Sequence, residues 1–276
     1  MCLINAFFLD KERIRKVLKD KIEGELHLDF AARQAMDGAL SQADAETAVT
    51  KWGDKYSVLR IKKNVRPNLV RALINGAPQI RSPLVATTAE AKHAEIIKKH
   101  ADIGTLCNTV QGARKKNGTA RDFTSLASKL LWLLFPNQVP IFDDRAWRAV
   151  NVIARLTEKA ETPDPDRSDF TLNEFCAFLK LHVLCFSGIY ERIDEIISEE
   201  FDAIFDSATR QVAAITKEDA ARQYANHITV IDQVLWHLGG AVPVEGCLIM
   251  KTKKASARKS AKSVASVKSL GVRNGG

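Results

Sequence analysis

The sequence predicts an all-α protein. Apolar residues recur at spacings of three and four through most of the chain, and helix-capping signatures precede several of these segments. Only residues 57–62 alternate as a strand would, and this isolated stretch carries little weight. With 276 residues, 46% of them hydrophobic, the chain is long enough to bury a sizeable core in one large domain or two small ones.

Caps and breakers set the predicted helix boundaries. An acidic or hydroxyl side chain favours a helix start, a proline is tolerated in the first turn, and glycine favours an end. A capping box, Thr or Ser followed three residues later by Glu, marks further starts. The predicted helices are one after Asp10 with Ile14, Val17 and Leu18 on its apolar face; one over 29–49; one from Pro67 to Gly76; one from the capping box 87–90 to about His100; a further one capped by Asp102; one after the capping box 171–174; and a long one over 216–238 that stops at Gly239 and Gly240.

The chain divides into a helical body, residues 1–250, and a basic tail, residues 251–276. A loop at 157–169, which contains Pro163 and Pro165, is the candidate hinge within the body. The tail contains eight of the 41 Lys and Arg residues and no acid, so the body holds 33 basic against 33 acidic residues. Its composition predicts disorder, and its charge suits contacts with phosphates; a solubilising terminus is the alternative.

Cysteine, histidine and hydropathy patterns exclude several classes of protein. The five cysteines are scattered, and neither they nor the six histidines show the spacing of a zinc site, an iron–sulfur cluster or a disulfide framework. The longest apolar runs, at 130–135 and 139–142, are far shorter than the roughly 20 residues that span a bilayer. No secretion signal is recognisable. We therefore expect a cytoplasmic protein with no metal, no cofactor and no membrane association.

Residues 121–150, with the sequence RDFTSLASKLLWLLFPNQVPIFDDRAWRAV, carry the chemistry. Thr124 or Ser125 is the predicted cap of a helix that is apolar on nearly every face and should be buried, and the proline that follows ends it. Residues 139–142 are then extended, because a residue before proline is pushed out of the helical region. Asp143 is the predicted N-cap of the next helix.

Two polar side chains stand out in this apolar segment. Lys129 is the only charged residue on the first helix, and a buried lysine costs free energy unless its ammonium is paired or its pKa falls. Asp143 follows 14 residues later, and an extended return of the chain would bring the two side chains together. A partly desolvated lysine is a candidate nucleophile, and a carboxylate beside it is a candidate base or cation stabiliser.

This arrangement resembles the helix-hairpin-helix DNA glycosylase superfamily, which includes endonuclease III and the 8-oxoguanine DNA glycosylases. In that family a glycine-rich hairpin opens a buried helix with a catalytic lysine, and a short apolar connection leads to a catalytic aspartate. Lys129 and Asp143 fall on those positions, with Asp144 as the alternative if the register differs by one residue. Trp147 matches an aromatic residue of some 8-oxoguanine enzymes. The resemblance implies two helical layers or subdomains around a cleft.

The resemblance covers roughly thirty residues, about a tenth of the chain, and departs from the family pattern at several points. Ser125 and Ala127 replace the two hairpin glycines, and Arg145 stands where the family often has histidine. The interval from lysine to aspartate is a few residues shorter than usual, and the four-cysteine cluster motif of endonuclease III is absent. These differences indicate a divergent member.

The resemblance implies a DNA glycosylase that flips a nucleotide out of double-stranded DNA and excises a modified base. The expected substrate is an oxidised purine or an unusual base such as a hypermodified cytosine of phage DNA, in DNA repair or anti-phage defence, with or without AP-lyase activity. A monomer is expected, located on the bacterial nucleoid when bound to DNA. Candidate contacts with the base or the DNA are Ser125, Ala127, Trp132, Phe142, Asp144, Arg145, Trp147, Arg114, Lys115 and Lys116.

A purely structural interpretation of the two site residues is open as well. Asp143 would serve as an N-cap alone, and Lys129 would extend from an apolar face to solvent. The protein would then be a non-catalytic helical nucleic-acid-binding protein that acts through its basic tail, or an interaction protein whose tail binds acidic partners. Loss of activity without loss of fold, on changing Lys129 or Asp143, would identify the enzyme.

Deleting residues 251–276 tests the role of the tail. Each neutralised phosphate contributes about −0.9 to the slope of log affinity against log salt for duplex DNA. If half of the eight tail charges engage DNA, deletion flattens that slope by roughly 3 to 4 units, while excision at low salt and saturating enzyme is retained. Binding across a salt series for full-length and truncated protein checks this expectation; equal slopes for the two proteins contradict it.

Overall fold

Helices and the turns between them make up the part of the chain that the structure describes. The structure is a computed structural model, and it describes residues 8–59, 61–113, 120–157, 171–208 and 215–240. No strand occurs in these ranges, which confirms the prediction of an all-α protein. The helices are α1 (Lys11–Gly24), α2 (Leu26–Met36), α3 (Gln42–Lys55), α4 (Arg66–Ile80), α5 (Ala89–Thr109), α6 (Thr124–Leu134), α7 (Asp144–Leu156), α8 (Leu172–Phe186), α9 (Tyr190–Ala208), α10 (Lys217–Tyr224) and α11 (His227–Gly240), with a short 3₁₀ turn, Ser187–Ile189, between α8 and α9.

The core is rich in aromatic side chains that are closed off from solvent. Trp52 on α3, Trp132 on α6 and Trp147 on α7 are at most 1% exposed. α6 is buried on nearly all of its faces, as its apolar composition predicts, and it packs against α2 and α5. The most extensive contact between described helices joins α7 to α11. This pair of helices holds one wall of the candidate site.

Several predicted caps and starts are confirmed. Asp10 accepts hydrogen bonds from two backbone N–H groups at the start of α1. Thr171 and Glu174 form the predicted capping box of α8, in which each side chain bonds the other residue's backbone N–H. Pro67 lies in the first turn of α4. N–H groups there have no acceptor within the helix, so a proline, which lacks the N–H, costs no hydrogen bond. These starts were readable because a cap is a local interaction.

The predicted helix over 29–49 is wrong, because two helices occupy that region. α2 ends just before Gly38, whose φ of 75° is accessible mainly to a residue without a Cβ. Ser41 then caps α3 by accepting the N–H of Asp44. Glycine at a helix end and serine three residues later are stop and start signals in their own right.

Two predicted boundaries in α4 and α5 are also wrong. Gly76 does not end α4; it lies inside the helix, where its missing side chain makes room for Leu106 of α5. α5 is capped by Thr88 and continues well past His100. Asp102 therefore lies within α5 and is not a cap. A glycine required for close packing and a glycine that ends a helix look alike in sequence.

The single helix predicted over 216–238 is divided into α10 and α11. The division falls at Asn226, whose side-chain oxygen accepts the N–H of Thr229 and so caps α11. The described residues of 57–62 form turns and not a strand, and Ser57 has a positive φ of 54°. The first correction concerns a polar residue that bonds its own neighbouring backbone, which competes with a continuous helix.

One helical stretch, Leu172–Ala208, is long and apolar enough to cross a membrane by length and composition alone. Its large side chains, including Phe175, Phe178 and Phe186, are buried in the core, so the stretch is weak evidence for a membrane span. The predicted hinge at 157–169, apart from its first residue, and the tail lie outside the described residues.

Gly239 and Gly104 allow a matched test of the contact between α7 and α11. A Cβ on Gly239 would collide with the backbone of Arg145, whereas a Cβ on Gly104 in the middle of α5 meets nothing within contact distance. We expect Gly239→Ala to lower the free energy of unfolding by about 1–3 kcal/mol through overpacking. Gly104→Ala should raise it by roughly 0.5–1 kcal/mol through helix propensity. Urea unfolding of both variants checks this; equal effects at the two positions would contradict the close crossing.

Candidate active site

Lys129 is a buried lysine on a buried helix. It is the only charged residue of α6, and it is 8% exposed. Apolar neighbours along α6 keep it away from bulk water, because Leu126, Leu130 and Leu133 are all at most 2% exposed. An ammonium in such surroundings is stable only with electrostatic partners.

Asp143 is the closest acidic partner of Lys129. Its Oδ2 lies 3.6 Å from Lys129 Nζ, and the Asp143 side chain is 15% exposed. Its other oxygen, Oδ1, accepts the backbone N–H groups of Arg145 and Ala146 at 3.0 and 2.9 Å. Asp143 is therefore the N-cap of α7, as predicted, and the two carboxylate oxygens have separate partners. The partial positive charge of the helix N-terminus further stabilises a carboxylate there.

Residues 139–142 bring the two side chains together. Ile141 donates its backbone N–H to Asp232 Oδ2 on α11 at 2.6 Å. Ser128, next to Lys129, donates its hydroxyl to the carbonyl of Phe142 at 3.1 Å. The connection is thus fixed from both sides, by α6 and by α11, immediately before Asp143. Phe123 is the N-cap of α6 and makes no side-chain capping bond, so neither Thr124 nor Ser125 is the cap. Asp122 accepts the N–H of Thr124 just before the helix.

Lys129 and Asp143 both line an open pocket of about 1040 Å³, called here the Lys129 pocket. Its walls come from α1, α3, α6, α7 and α11 and from the turns after α3 and before α6. Both basic and acidic side chains line it, so it suits a polar ligand with both donors and acceptors. The polar and aromatic lining residues are Lys21, Glu25, Lys55, Tyr56, Ser57, Arg121, Asp122, Phe123, Thr124, Ser125, Lys129, Asp143, Asp144, Arg145, Asp232, Gln233 and Trp236.

Tyr56 connects Lys129 to a second polar cluster. The Lys129 ammonium lies 6.0 Å from the centre of the Tyr56 ring, and the Lys21 ammonium lies 5.5 Å from it. The Tyr56 hydroxyl is within hydrogen-bond distance of Glu25, at 2.7 Å, and of Asp29, at 3.0 Å. Lys21 is itself ion-paired with Glu25. The Tyr56 ring thus lies near two ammonium groups, and the Tyr56 hydroxyl lies near two carboxyl groups.

Protonation differs between the two carboxyl groups of this cluster. Burial raises the pKa of Asp29 to about 7, although the nearby Lys21 ammonium and the Tyr224 hydroxyl act in the opposite direction. Burial also disfavours the charge of Glu25, but the Lys21 ammonium and two hydrogen bonds hold the pKa of Glu25 below its usual value. Glu25 is therefore the charged partner of Lys21, and Asp29 titrates near neutral pH.

Asp232 is a second buried carboxyl group beside Asp143. Burial raises the pKa of Asp232 well above its usual value. The hydrogen bond from the Ile141 N–H lowers that pKa, whereas the nearby Asp143 carboxylate raises it. Oδ1 of Asp232 lies 3.8 Å from Nε2 of His182, which is itself 1% exposed. Burial lowers the pKa of His182 to about 3, so the imidazole ring in this contact is neutral. Asp232 anchors the connection before Asp143 through the Ile141 N–H.

The residues predicted to contact a base or DNA fall into three sets. Ser125, Asp144 and Arg145 line the Lys129 pocket. Asp144 is ion-paired with Arg148 on its own helix, so Asp143 is the carboxylate that faces Lys129. The run that contains Arg114, Lys115 and Lys116 lies outside the described residues. The remaining set is fully buried and lines no part of the pocket: Ala127, Trp132, Phe142 and Trp147.

Those four residues are buried in the core, and their predicted contacts with a base or with DNA stay predictions. Trp132 points its indole N–H at Thr229, at 3.4 Å, and packs edge-on against Tyr56. Phe142 lies edge-on to Trp147 at 5.8 Å and to Phe178 at 5.3 Å. A large aromatic side chain near a site is more often part of the packing that supports it.

The pocket residues that sequence reasoning missed include Lys21, Tyr56, Asp232 and Trp236. Three of them lie on helices far from the 121–150 segment in the chain, so no local spacing connects them to Lys129. Lys21 gave one usable signal, because it lies four residues before Glu25, at the spacing of a helical ion pair. Asp232 gave another, as an acid within the apolar sequence of α11.

Comparisons with protein families, with curated proteins and with solved structures find no match to this chain. Within the described ranges, no group of three or more His, Cys, Asp or Glu side chains is placed to hold a metal ion. The case for a function therefore rests on the geometry of the Lys129 pocket.

The raised pKa of Asp29 predicts the direction in which the stability of the protein changes with pH. Asp29 keeps its proton in the folded protein up to a pH of about 7, whereas in the unfolded chain it loses it near its ordinary value of 3.8. Its contribution to stability is therefore full below that ordinary value and falls as the pH rises through 7. We expect Asp29→Asn to remove this fall, so that the wild type loses stability relative to the variant between pH 5 and pH 8. Urea unfolding of both proteins at the two pH values checks this. A difference that is constant, or that moves in favour of the wild type, contradicts it.

Proposed function

We propose that the protein is a DNA N-glycosylase in which Lys129 and Asp143 carry the chemistry. The observation that supports this most directly is the 3.6 Å approach of Lys129 Nζ to Asp143 Oδ2 in an open pocket. Both residues stand out in the sequence by their residue types and surroundings, and the pocket has the size of a small-molecule site. A buried amine can attack a sugar carbon as a nucleophile when a neighbouring carboxylate accepts its proton.

The proposed substrate is a nucleotide flipped out of double-stranded DNA into the Lys129 pocket. A base inside a duplex cannot reach a buried amine, so its nucleotide must rotate out at an expense of a few kcal/mol in stacking. The proposed arrangement has helical layers on two sides of the pocket, as in the glycosylases that the 121–150 segment resembles. The presence of both basic and acidic side chains in the pocket lining supports recognition of a base by its polar edge.

The proposed covalent step begins with proton transfer from Lys129 to Asp143. The neutral Nζ lone pair forms a bond to C1′ while the C1′–N bond to the base breaks, and the base leaves with that electron pair and takes up one proton. When the sugar ring opens, O4′ leaves C1′ and takes up a second proton, and Nζ forms a double bond to C1′. The protons come from the original ammonium by way of Asp143. The product is a protonated Schiff base, from which strand cleavage can follow.

Asp143 has a second role that does not depend on attack by Lys129. Its charge lies where it would stabilise positive charge that develops on the sugar as the base departs. A water molecule would then replace the amine as nucleophile, giving a monofunctional enzyme. An oxidised purine or a bulky modified base such as a hypermodified phage cytosine is the proposed substrate, and repair or anti-phage defence is the corresponding role.

Borohydride trapping tests the function and separates these two forms. The protein is incubated with duplexes that carry single modified bases and with modified phage DNAs, and released base is measured by mass spectrometry. We expect base release by the wild type and a borohydride-trapped adduct that Lys129→Gln does not form. Asp143→Asn should slow base release by about 100- to 1000-fold, as loss of a transition-state charge partner does. Base release by Lys129→Gln without trapping identifies the monofunctional form.

Two matched variants control for folding. Asp10 caps α1 with the same pair of backbone bonds that Asp143 makes at α7, so Asp10→Asn matches Asp143→Asn as a cap substitution outside the pocket. Lys99 is 7% exposed and binds the Ile80 carbonyl and the Ser82 hydroxyl, so Lys99→Gln matches Lys129→Gln as a buried lysine. Activity should survive both controls. Activity that persists in Lys129→Gln, Asp143→Asn and the double variant would overturn the proposal.

A further inference from the structure

Trp236 is exposed, unlike the other three tryptophans. Its side chain is 40% exposed, whereas Trp52, Trp132 and Trp147 are at most 1% exposed. Among the described Phe, Tyr and Trp residues it is the only one in the exposed class. It lines the Lys129 pocket from α11. A large aromatic ring that contacts solvent at a pocket offers an apolar surface on which a ligand can pack.

Arg145 covers part of that ring. Its guanidinium carbon lies 3.9 Å from the centre of the Trp236 ring, which is the distance of a stacked cation–π pair. No carboxylate in the described ranges lies within ion-pair distance of Arg145; the neighbouring Asp144 is paired with Arg148 instead. A guanidinium that stacks on a ring by its face keeps its N–H edge for an acceptor such as phosphate.

The position of this pair is fixed by the backbone. Arg145 lies in the first turn of α7, two residues after Asp143, and its backbone packs directly against Gly239, one turn after Trp236 on α11. Only a residue without a Cβ permits so close an approach. The stacked pair is therefore carried by two helices in contact, and it has a fixed relation to Asp143.

We propose that Trp236 and Arg145 form a stacking platform for a nucleobase and its phosphate at the Lys129 pocket. The inference rests on the proposed function, because it assigns the part of DNA that the pocket holds. A base stacks on Trp236 by its flat face, and the Arg145 N–H edge binds the adjacent phosphate. Stacking on an aromatic side chain tolerates any base, so the platform serves a strand as it enters the pocket and leaves discrimination to the interior.

Tryptophan fluorescence reads this platform without any excision. Iodide in solution should quench only Trp236, because the other three tryptophans are closed to solvent. We expect single-stranded DNA, and a duplex with an abasic site, to quench Trp236 emission and to protect it from iodide. Trp236→Phe should abolish the iodide-sensitive emission. Two further ligands serve as controls. The mononucleotide dAMP carries a base but no DNA strand, and heparin carries the negative charge of a polymer but no bases.

Affinity and salt dependence separate the two members of the platform. Trp236→Ala should weaken single-stranded DNA binding by about 5- to 100-fold with an unchanged salt slope, and Trp236→Phe should restore most of it. Arg145→Gln should flatten the slope by about 0.7, the contribution of one phosphate on a single strand. Leu156→Ala, at an exposed position at the far end of α7, is the matched control and should bind as the wild type does.

The outcomes distinguish this inference from the proposed function. DNA that protects Trp236 although no base is ever released supports the platform and contradicts the glycosylase. Base release with Trp236 still open to iodide, and with equal affinity for Trp236→Ala and wild type, overturns the platform and leaves the glycosylase standing. Heparin that protects Trp236 as well as DNA does would show a site for polyanions and also overturn the platform. Protection by dAMP alone would assign the platform to free nucleotides instead of a DNA strand.

Discussion

The connection between α6 and α7 is the constraint on which the candidate site depends. Its last residues lie outside any helix. They are bonded on one side to Asp232 of α11, through the Ile141 N–H, and on the other side to Ser128 of α6, through the Phe142 carbonyl. If this segment were displaced by one residue, Asp143 would no longer cap α7. Because the cap uses only one carboxylate oxygen, the residue that begins the helix also presents its other oxygen to Lys129. One backbone path thus fixes both the cap of α7 and the proposed chemical role of Asp143.

Several ionisable groups are buried in or beside the Lys129 pocket, and each has a different kind of compensation. Lys21 has a charged partner in Glu25 and two aromatic rings, those of Tyr56 and Trp132, near its ammonium. Asp29 is hydrogen-bonded by two tyrosine hydroxyls and keeps its proton up to neutral pH, with a pKa of about 7. A core built only for stability would replace such groups with apolar ones at little loss. Their concentration around one pocket is the arrangement expected of a site whose chemistry needs them.

The features that could be predicted from the sequence are those that interactions within a short segment determine. Lys129, Asp143 and the caps at Asp10 and Thr171 are recognisable because a cap or a lone charge on an apolar helix is visible within one short segment. The wrong boundaries have the opposite origin. Gly76 remains helical because a side chain from α5 fills the space beside it, which no feature of α4 itself indicates. In the same way Tyr56 and Trp236 meet Lys129 and Arg145 only through long-range packing.

Asp143 and Asp232 both line the Lys129 pocket, but their environments differ. Asp232 is buried beside His182 of α8, and burial disfavours its charged form by raising its pKa well above the usual value. A neutral carboxyl group can hold the Ile141 N–H, but it cannot offset a positive charge on a sugar. Asp143 receives two backbone N–H bonds at the start of α7, and its other oxygen lies 3.6 Å from Lys129 Nζ. Two neighbouring acids in such different surroundings are suited to separate roles in proton transfer and charge stabilisation. The geometry therefore supports the proposal in which Asp143 is the acidic partner of Lys129, while Asp232 holds the connection before it in place.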